Sequence, residues 1–513
     1  MSLTRAATGV RRAALIASLC LLLGGCSLAP RYERPEMDIP AQWRSVDLGA
    51  APLRTDWWTR FEDPVLTALI EQALRKNQDL ARSLAEIDAA AAQMGVATSA
   101  LAPLISGSGA AGSQGASEAT ANTAPFSSNG LSRSHLNYQL QASASWELDL
   151  WGRLRNIRSM QTDVLMNTAL SHEALRLTVA GETAKGYFSL LALDSQLETA
   201  RRTLRSRESS FGIYTSRYQQ GDITELDWQR ARAEVETARV RMHSSVVAVD
   251  QAEAALAVLI GRSPREIIAE AMPRGTSIER LPAPPALPAG LPSDLLLRRP
   301  DVRAAEFLIM AYNANIGAAR AEYFPSLSLT GTLGTLSAEA YKLFSGPAGA
   351  WSYGISGTVP LLDFGRVWYK VKGAEAQKQA AEATYRKAVQ TAFEDLRTSL
   401  TSQREAGAVV QSQLRQVESL RRAVEIARLQ YDNGYTDYLT VLDAERQLFS
   451  AELEYAAALR DRLNAVVGVC MALGGGWQDP DVRPGVFGDT APLLEGRNPA
   501  ARPPVQGDAA QNR

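Results

Sequence analysis

The sequence has few residues of the kinds that build metal sites, nucleophiles and disulfides. Histidine occurs three times, at His135, His172 and His243, with no histidine or cysteine close by, so a zinc site is not expected. Cysteine also occurs three times, at Cys20, Cys26 and Cys470, and the apolar neighbours Val466, Val467, Val469 and Leu473 mark Cys470 as a core thiol. Aromatic residues make up only 7% of the 513 positions, whereas alanine, arginine, glutamine and leucine are plentiful, a bias that favours long helices. Charge of one sign is lacking as well. The 54 basic and 55 acidic residues balance and no basic block stands out, so nucleic acid is not an expected partner. There is no Gly-x-Ser-x-Gly elbow and no His-Glu-x-x-His pair, and Glu234, Glu236, Glu394 and Asp395 read as solvated helix faces. No catalytic residue, metal ligand or cofactor is therefore assigned, and the chain is not expected to be an enzyme. The remaining balance, 46% hydrophobic and 21% charged, excludes a mainly disordered chain.

Long apolar runs are scarce too. Arg5, Arg11 and Arg12 precede an apolar stretch, Ala13 to Leu23, of signal-peptide length and too short to span a bilayer as a helix. It ends in Leu23-Gly24-Gly25-Cys26, small residues before a cysteine that look like the lipobox of bacterial lipoproteins. That resemblance implies cleavage before Cys26 and lipids on its thiol and amine. Ser27 stands where an Asp would favour inner-membrane retention, so the outer membrane is expected. After residue 26 no stretch reaches about 18 apolar residues, so any membrane crossing must use strands.

What the sequence has instead is a repeat. Arg217-Tyr218-Gln219-Gln220-Gly221 returns as Gln430-Tyr431-Asp432-Asn433-Gly434, and Gly434 lies 213 positions after Gly221. Trp151-Gly152-Arg153 returns as Phe364-Gly365-Arg366 at the same offset. Upstream, Asn77-Gln78-Asp79-Leu80 matches Arg299-Pro300-Asp301-Val302, and Pro103 matches Pro325, both at an offset of 222. The change of offset puts the length difference in one loop between residues 103 and 152. Each copy reads as a helix (66–101, 294–323), a β-hairpin (103–149, 325–362), a very long helix (152–219, 365–432) and, after a tight turn at Gly221 or Gly434, a return helix (224–260, 437–473). At 1.5 Å per residue the long helices span roughly 100 Å, about the length of a return helix and the shorter helix end to end. The seam Leu442, Phe449, Leu453, Ala456, Leu463, Val466, Cys470 and Leu473 has coiled-coil spacing. The expected layout is a signal segment 1–25, an extended acylated segment 26–65, a first repeat 66–261, a Pro-rich and extended linker 262–293, a second repeat 294–473 and a loosely ordered tail 474–513. Gly474-Gly475-Gly476 caps the last helix.

The hairpins carry an alternating pattern. Leu327, Leu329, Gly331 and Leu333 alternate with Ser326, Ser328, Thr330 and Thr332, and Trp351, Tyr353, Ile355, Gly357 and Val359 alternate with Ser352, Gly354, Ser356 and Thr358. In the first copy Leu136, Tyr138, Leu140, Ala142, Ala144 and Trp146 alternate with Asn137, Gln139, Gln141, Ser143 and Ser145. An apolar face against a small, uncharged polar face suits membrane barrel strands, lipid outside and water inside. Four strands cannot close a barrel, so other copies must complete it, and small residues such as Gly107, Gly109 and Ser328 are expected to smooth the lumen wall.

The chain resembles the TolC-like outer-membrane factors of tripartite efflux pumps, in the acylated branch paired with resistance-nodulation-division transporters. The lipobox, Gly290-Leu291-Pro292-Ser293-Asp294-Leu295-Leu296-Leu297-Arg298-Arg299-Pro300-Asp301, Ala305-Glu306, Tyr323-Phe324-Pro325-Ser326-Leu327, Trp151-Gly152-Arg153, Asp363-Phe364-Gly365-Arg366 and Tyr431 to Arg446 carry the match. The resemblance implies a mostly α protein with a membrane β-barrel. A homotrimer shares a twelve-strand outer-membrane β-barrel, continued by a twelve-helix periplasmic α-barrel and built from two tandem repeats per chain. Its implied partners are a periplasmic adaptor, an inner-membrane resistance-nodulation-division transporter and outer-membrane lipid. Gly221 and Gly434 then turn the chain at the periplasmic tip, and Leu439, Asp443 and Arg446 form a gate of apolar constriction, acidic ring and basic partner. Read from spacing alone, those three are a solvated helix face with a local ion pair. Unlipidated relatives carry an acidic residue and an Arg where this chain has Thr440 and Thr436, which puts their Arg-based latch in doubt here. The expected function is the exit duct of a pump exporting small molecules such as drugs. Alternatives are a pore-free coiled-coil lipoprotein, a type I secretion or metal-efflux duct, and a lipid-anchored hydrolase.

Overall fold

The computed structural model describes residues 27–39, 55–115, 134–282 and 299–475. Cys26, the signal segment, most of the tail and part of the linker lie outside these residues. The expected repeat is present, and its two halves superimpose in sequence number. In the first half come α1 (Pro64–Lys76), α2 (Gln78–Ser99), β1 (Leu104–Gly115), β2 (Ser134–Leu148), α3 (Arg153–Gln220) and α4 (Glu225–Leu259). After a short α5 (Pro264–Ala269) come α6 (Pro300–Ala321), β3 (Ser326–Ser337), β4 (Gly349–Thr358), α7 (Arg366–Asp432) and α8 (Tyr438–Ala472). Adding 222 to the ends of α2 and β1 gives the ends of α6 and β3. Adding 213 to α4 gives α8. The offset therefore changes between β1 and β2.

Two expectations are corrected. The first helix is not continuous over 66–101. It breaks at Asn77, whose extended backbone ends α1 while its side-chain oxygen accepts from Asp79 N and Leu80 N to start α2. The linker is not extended throughout. Pro264 occupies the first turn of α5, where its missing N–H costs nothing, and Ser263 and Glu266 close a capping box.

The chain divides into two compact units. One draws on Met1–Glu36, Ala89–Asn167 and Ala305–Tyr385, and the other on Met37–Asp88, Thr168–Ala304 and Arg386–Arg513. The first holds one antiparallel sheet in the order β1-β2-β3-β4, with β1 and β4 at its edges. Its helical part packs on small residues, with Ile316, Ala319, Val371 and Ala374 in contact. An extended strap, residues 27–36, lies across α6 in this unit. Arg34 and Tyr32 both donate to the buried Glu306 carboxylate, at 2.7 and 2.9 Å from the guanidinium and 3.0 Å from the phenol. Asn313 Nδ2 donates to Pro30 O at 2.7 Å, and Ser27 Oγ to Asn156 Oδ1 at 2.9 Å.

The second unit has the large core, where Trp57, Phe61, Tyr187 and Phe188 pack with Val467 and Cys470. Burial pushes the Cys470 thiol up to about 12, in keeping with a core role. The linker is tied into this unit, since Tyr187 OH donates to Asp63 at 2.7 Å and accepts from Gly275 N, and Arg274 pairs with Asp194 and Glu253. Gly474 and Gly475 have positive φ and donate back to Met471 O and Cys470 O, the expected helix cap.

Candidate functional site

Two places gather the residues that the sequence singles out, one in each unit. In the second unit, α3 and α7 end in the same turn. Gly221 and Gly434 have φ of +82° and +77°, a left-handed backbone that glycine adopts without strain. Gly221 N donates to Tyr218 O and Asp222 N to Arg217 O, and Gly434 N donates to Tyr431 O and Tyr435 N to Gln430 O. This is the Schellman arrangement twice over. The next helix then starts on a side-chain cap, Thr224 for α4 and Asp437 for α8, each accepting from the N–H three residues on. Hydrogen bonds from the Thr440 hydroxyl and N–H hold the Asp437 carboxyl below its usual range.

Leu439 is 52% exposed one turn into α8. Asp443 accepts from Arg446 at 2.7 Å and from Gln447 at 2.6 Å, so both its oxygens are held by its own helix. Arg446 is 72% exposed, and such a pair is worth a few tenths of a kcal/mol within one chain. Thr436 donates to Thr440, which donates to Asp437, so a hydroxyl chain occupies the two positions singled out in the sequence.

Sequence reading missed what holds these turns together. Tyr214, Tyr431 and Tyr438 form a ring cluster with centroids 4.4–6.0 Å apart, and burial raises the Tyr214 and Tyr438 phenols. Trp228 stacks on Tyr218 and donates to Thr215 Oγ1. Arg207 pairs with Glu234 between α3 and α4, and Arg428 with Glu445 between α7 and α8 at 2.6 Å. Arg217 reaches Asp432 at 3.8 Å, linking α3 to α7. Glu234 is thus partly covered at the α3–α4 seam, whereas Asp395, 45% exposed, stays on a solvated face while accepting from Arg299 at 3.1 Å. A period of 3.6 reports the face of a helix but not which neighbour comes to cover it. The 213 offset could have found two more residues. It carries Leu439 onto Leu226, which is 58% exposed, and Asp443 onto Arg230.

The second place is the sheet. Its register lines Ser106, Ser143, Thr332 and Ser352 in one row across all four strands. Ser106 and Ser143 hydroxyls lie 2.8 Å apart, and those of Thr332 and Ser352 2.7 Å apart. The adjacent row, on the other face, is Gly107, Ala142, Leu333 and Trp351. Leu333 is 68% and Trp351 71% exposed, as are Ile105, Leu329, Tyr353 and Ile355 to varying degrees. So one face is apolar and open while the other carries small hydroxyls, as the alternation predicts. The lumen assignment needs one correction. Ser328 is on the hydroxyl face, but Gly107 and Gly109 share the apolar face with Ile105, because side chains alternate strictly along a strand. Tryptophans mark one end: Trp146 donates to Leu101 O, and Trp151 donates to Pro325 O while stacking on Phe324 at 4.7 Å. Among the described residues no helix is long and apolar enough to cross a membrane.

Comparison with known proteins agrees with this geometry. The sequence profile of the family described as outer membrane efflux protein matches residues 69–262 and 291–475. The toluene efflux pump outer membrane protein TtgF of Pseudomonas putida is 34% identical over 481 residues, covering 91% of this chain and 97% of the relative. The antibiotic efflux pump outer membrane protein ArpC of Pseudomonas putida is 33% identical over 474 residues, covering 90% and 95%. Among solved structures, the CmeC outer membrane channel of Campylobacter jejuni superimposes with a TM-score of 0.83 at 25% identity, covering 92% of this chain and 98% of that one.

Proposed function

From the premise that the chain belongs to the outer membrane efflux protein family, we propose that it is the exit duct of a tripartite pump that exports apolar small molecules and drugs. It is an outer-membrane component of efflux, and membership implies transport rather than catalysis. Three copies share one barrel, and each supplies the four strands β1 to β4. A periplasmic adaptor and an inner-membrane resistance-nodulation-division transporter complete the pump. The observation that carries this reading is the four-stranded sheet with an apolar face and two open edges. In lipid such edges leave backbone groups without partners unless further strands close the ring.

Energy for export comes from the inner-membrane partner, so the duct's task is to open and close. Leu439, Asp443 and Arg446 form the gate on this reading. Three-fold symmetry brings three Asp443 carboxylates together, and Arg446 balances their mutual repulsion. Toluene and antibiotics are what the two relatives' names give as cargo, and this chain's cargo is likewise small organic molecules. Cys26 carries the lipid anchor. Intact mass should show acyl chains that Cys26→Ala lacks.

The test of the duct is efflux in living cells. Cells lacking this protein should accumulate an apolar fluorescent dye several-fold more than the parent, and the intact gene should restore the parental level. Equal accumulation in all three would contradict the assignment. Replacing Asp443 and Arg446 together should raise single-channel conductance and relieve block by divalent cations. Unchanged conductance would remove the gate assignment and leave the duct standing.

A further inference from the structure

The repeat makes the join between two copies readable from a single chain. Two images relate the halves: 222 carries β1 onto β3, and 213 carries β2 onto β4. The hairpins obey this to the residue. Leu104 pairs with Ser145 in β1–β2, and their images Ser326 and Thr358 pair in β3–β4. The chain also contains one join between repeats, the β2–β3 ladder, in which Trp146 pairs with Leu329, Ala144 with Gly331 and Ala142 with Leu333. Its image is a β4–β1 ladder. Within one chain β4 and β1 are opposite edges of the sheet, so the β1 of that ladder must come from a second copy.

We propose that β4 of one copy pairs antiparallel with β1 of the next in the register that the β2–β3 ladder dictates: Val359 opposite Gly107, Gly357 opposite Gly109, Ile355 opposite Ala111 and Tyr353 opposite Ser113. The proposal rests on the shared-barrel reading above and goes beyond it by fixing the register and the contacts at its foot. Four observations carry it. First, the faces agree, since Gly357, Ile355 and Tyr353 are apolar-face positions of β4, with Val359 the next in the same alternation just past its end, and each is set beside an apolar-face position of β1. Second, the sizes agree. The β1 side supplies Gly107, Gly109 and Ala111, and a Cβ added at Gly107 meets nothing within 4 Å. The β4 side supplies Tyr353, Ile355 and Val359, which are 80%, 66% and 42% exposed. Bulky side chains beside strand glycines cover backbone that the glycines leave bare.

Third, the ladder has an end. In the β2–β3 ladder Glu147 with Ser328 and Leu148 with Leu327 follow Trp146, and their images are Pro360 with Ser106 and Leu361 with Ile105. Pro360 has no N–H to donate, so the join ends past Val359, two pairs sooner than its template. Val359 itself is the image of Trp146, a residue that in this chain pairs with β3 and not with β1. Fourth, the foot of the join has an image contact. Trp151 stacks on Phe324 and donates to Pro325 O at the start of β3. The image of Trp151 is Phe364, held at φ +52° and 88% exposed, and the images of Phe324 and Pro325 are Ala102 and Pro103. Phe364 therefore sets its ring on Ala102 and Pro103 of the second copy. The neighbouring Leu361 and Leu362, 92% and 77% exposed, flank that contact.

Paired cysteines read the register in the full-length protein in its membrane. Val359→Cys with Gly107→Cys should give covalent trimers under copper-phenanthroline oxidation. The shifted pairs, Val359→Cys with Ile105→Cys or with Gly109→Cys, should link at least tenfold less. Buried Cys470 does not interfere. Trp146→Cys with Leu329→Cys, the image pair within one chain, should link internally and shows that the sheet has formed. Efficient linking of a shifted pair would overturn the register while leaving the shared barrel intact. No link between copies in any pair, with the internal pair linked and a trimeric native mass, would overturn the β4–β1 join. The same absence with a monomeric mass would overturn the duct reading itself.

Discussion

The two repeats share a backbone almost residue for residue, yet they hold it with different chemistry. Asn77 and Arg299 are images at an offset of 222. Asn77 Nδ2 donates to Leu259 O at 2.8 Å, and Arg299 Nη1 donates to Ala472 O at 3.2 Å. Those acceptors are the last residues of α4 and α8, images at 213. A neutral amide and a guanidinium thus satisfy the same orphan carbonyl. Further along, Glu208 pairs with Arg239 at 2.9 Å in the first repeat, and their images Arg421 and Glu452 pair at 2.8 Å with the signs exchanged. The lesson is that the fold specifies where a tie must be and leaves its chemistry free. Backbone-level devices behave otherwise. Both tip turns keep a glycine at positive φ, a backbone that glycine adopts at less cost than other residues.

One divergence between the repeats lies under the strap. Gly317 lies under it, and a Cβ there would meet Ala29 N and Asn156 Nδ2, both at 2.7 Å. Its image Gly95 has open space around the same position. Glu306, which anchors the strap, has the image Leu84. Among the described residues the strap lies over one repeat only, on a helix whose twin lacks both the glycine contact and the carboxylate.

Changes at paired positions can break or sharpen this comparison. The largest effect is expected at the helix-end ties. Arg299→Ala leaves Ala472 O and Asp395 without that donor and should cost about 2–3 kcal/mol, against about 1–2 kcal/mol for Asn77→Ala, in urea unfolding of the purified protein. Asn77→Ala also removes the cap of α2, so a cost at Asn77 equal to or above that at Arg299 would contradict the larger weight given to the charged tie. Next come the glycines, where the sign should differ. Gly317→Ala should destabilise by about 1–2 kcal/mol and speed tryptic cleavage after Arg31, while Gly95→Ala should stabilise by about 0.5–1 kcal/mol. Destabilisation at both sites would mean that α2 is covered as α6 is.

A smaller effect is expected at the exchanged ion pairs. Glu452 is 11% exposed and also takes Arg202 at 2.6 Å, so Glu452→Gln should cost about 1 kcal/mol. Glu208→Gln should cost only a few tenths, because Arg239 keeps Glu236. The smallest difference lies in the caps. The folded state holds the Asp437 carboxyl below its ordinary value, so its contribution is present above that ordinary value and is lost as pH falls through the lower folded one. Thr224 does not titrate. Amide exchange at Thr440 should therefore gain more from acidification below about pH 4 than exchange at Asp227, after correction for intrinsic rates. Parallel gains at the two amides would contradict the cap assignment.

Most of the architecture was legible because it rests on local signals repeated twice. Glycines at the turns, alternation in the strands and coiled-coil spacing in the helices each fix their own neighbourhood, and the offsets then set the order of the parts. The ends of α4, α7 and α8 fall within a residue or so of their expected positions. The candidate gate was legible only through family resemblance, since Leu439, Asp443 and Arg446 look like any exposed helix face within one chain. The ties that escaped reading are those between residues far apart in the chain. Arg34 and Glu306 are 272 positions apart, and nothing in the pattern near either predicts the other. Asn77 escaped because helical periodicity runs on through it, and only its capping hydrogen bonds show the break. Gly107 and Gly109 were assigned to the wrong face because a glycine carries no polarity to read, and only the register settles which way it points.

The central claim is that one chain supplies a third of a shared, conducting barrel. Native mass and planar-bilayer conductance, measured together on the full-length protein in detergent, test it most directly. The account predicts a heat-sensitive trimer that inserts as small, discrete channels. A monomer that is released from membranes like a simple lipid-anchored protein and carries no current would contradict it.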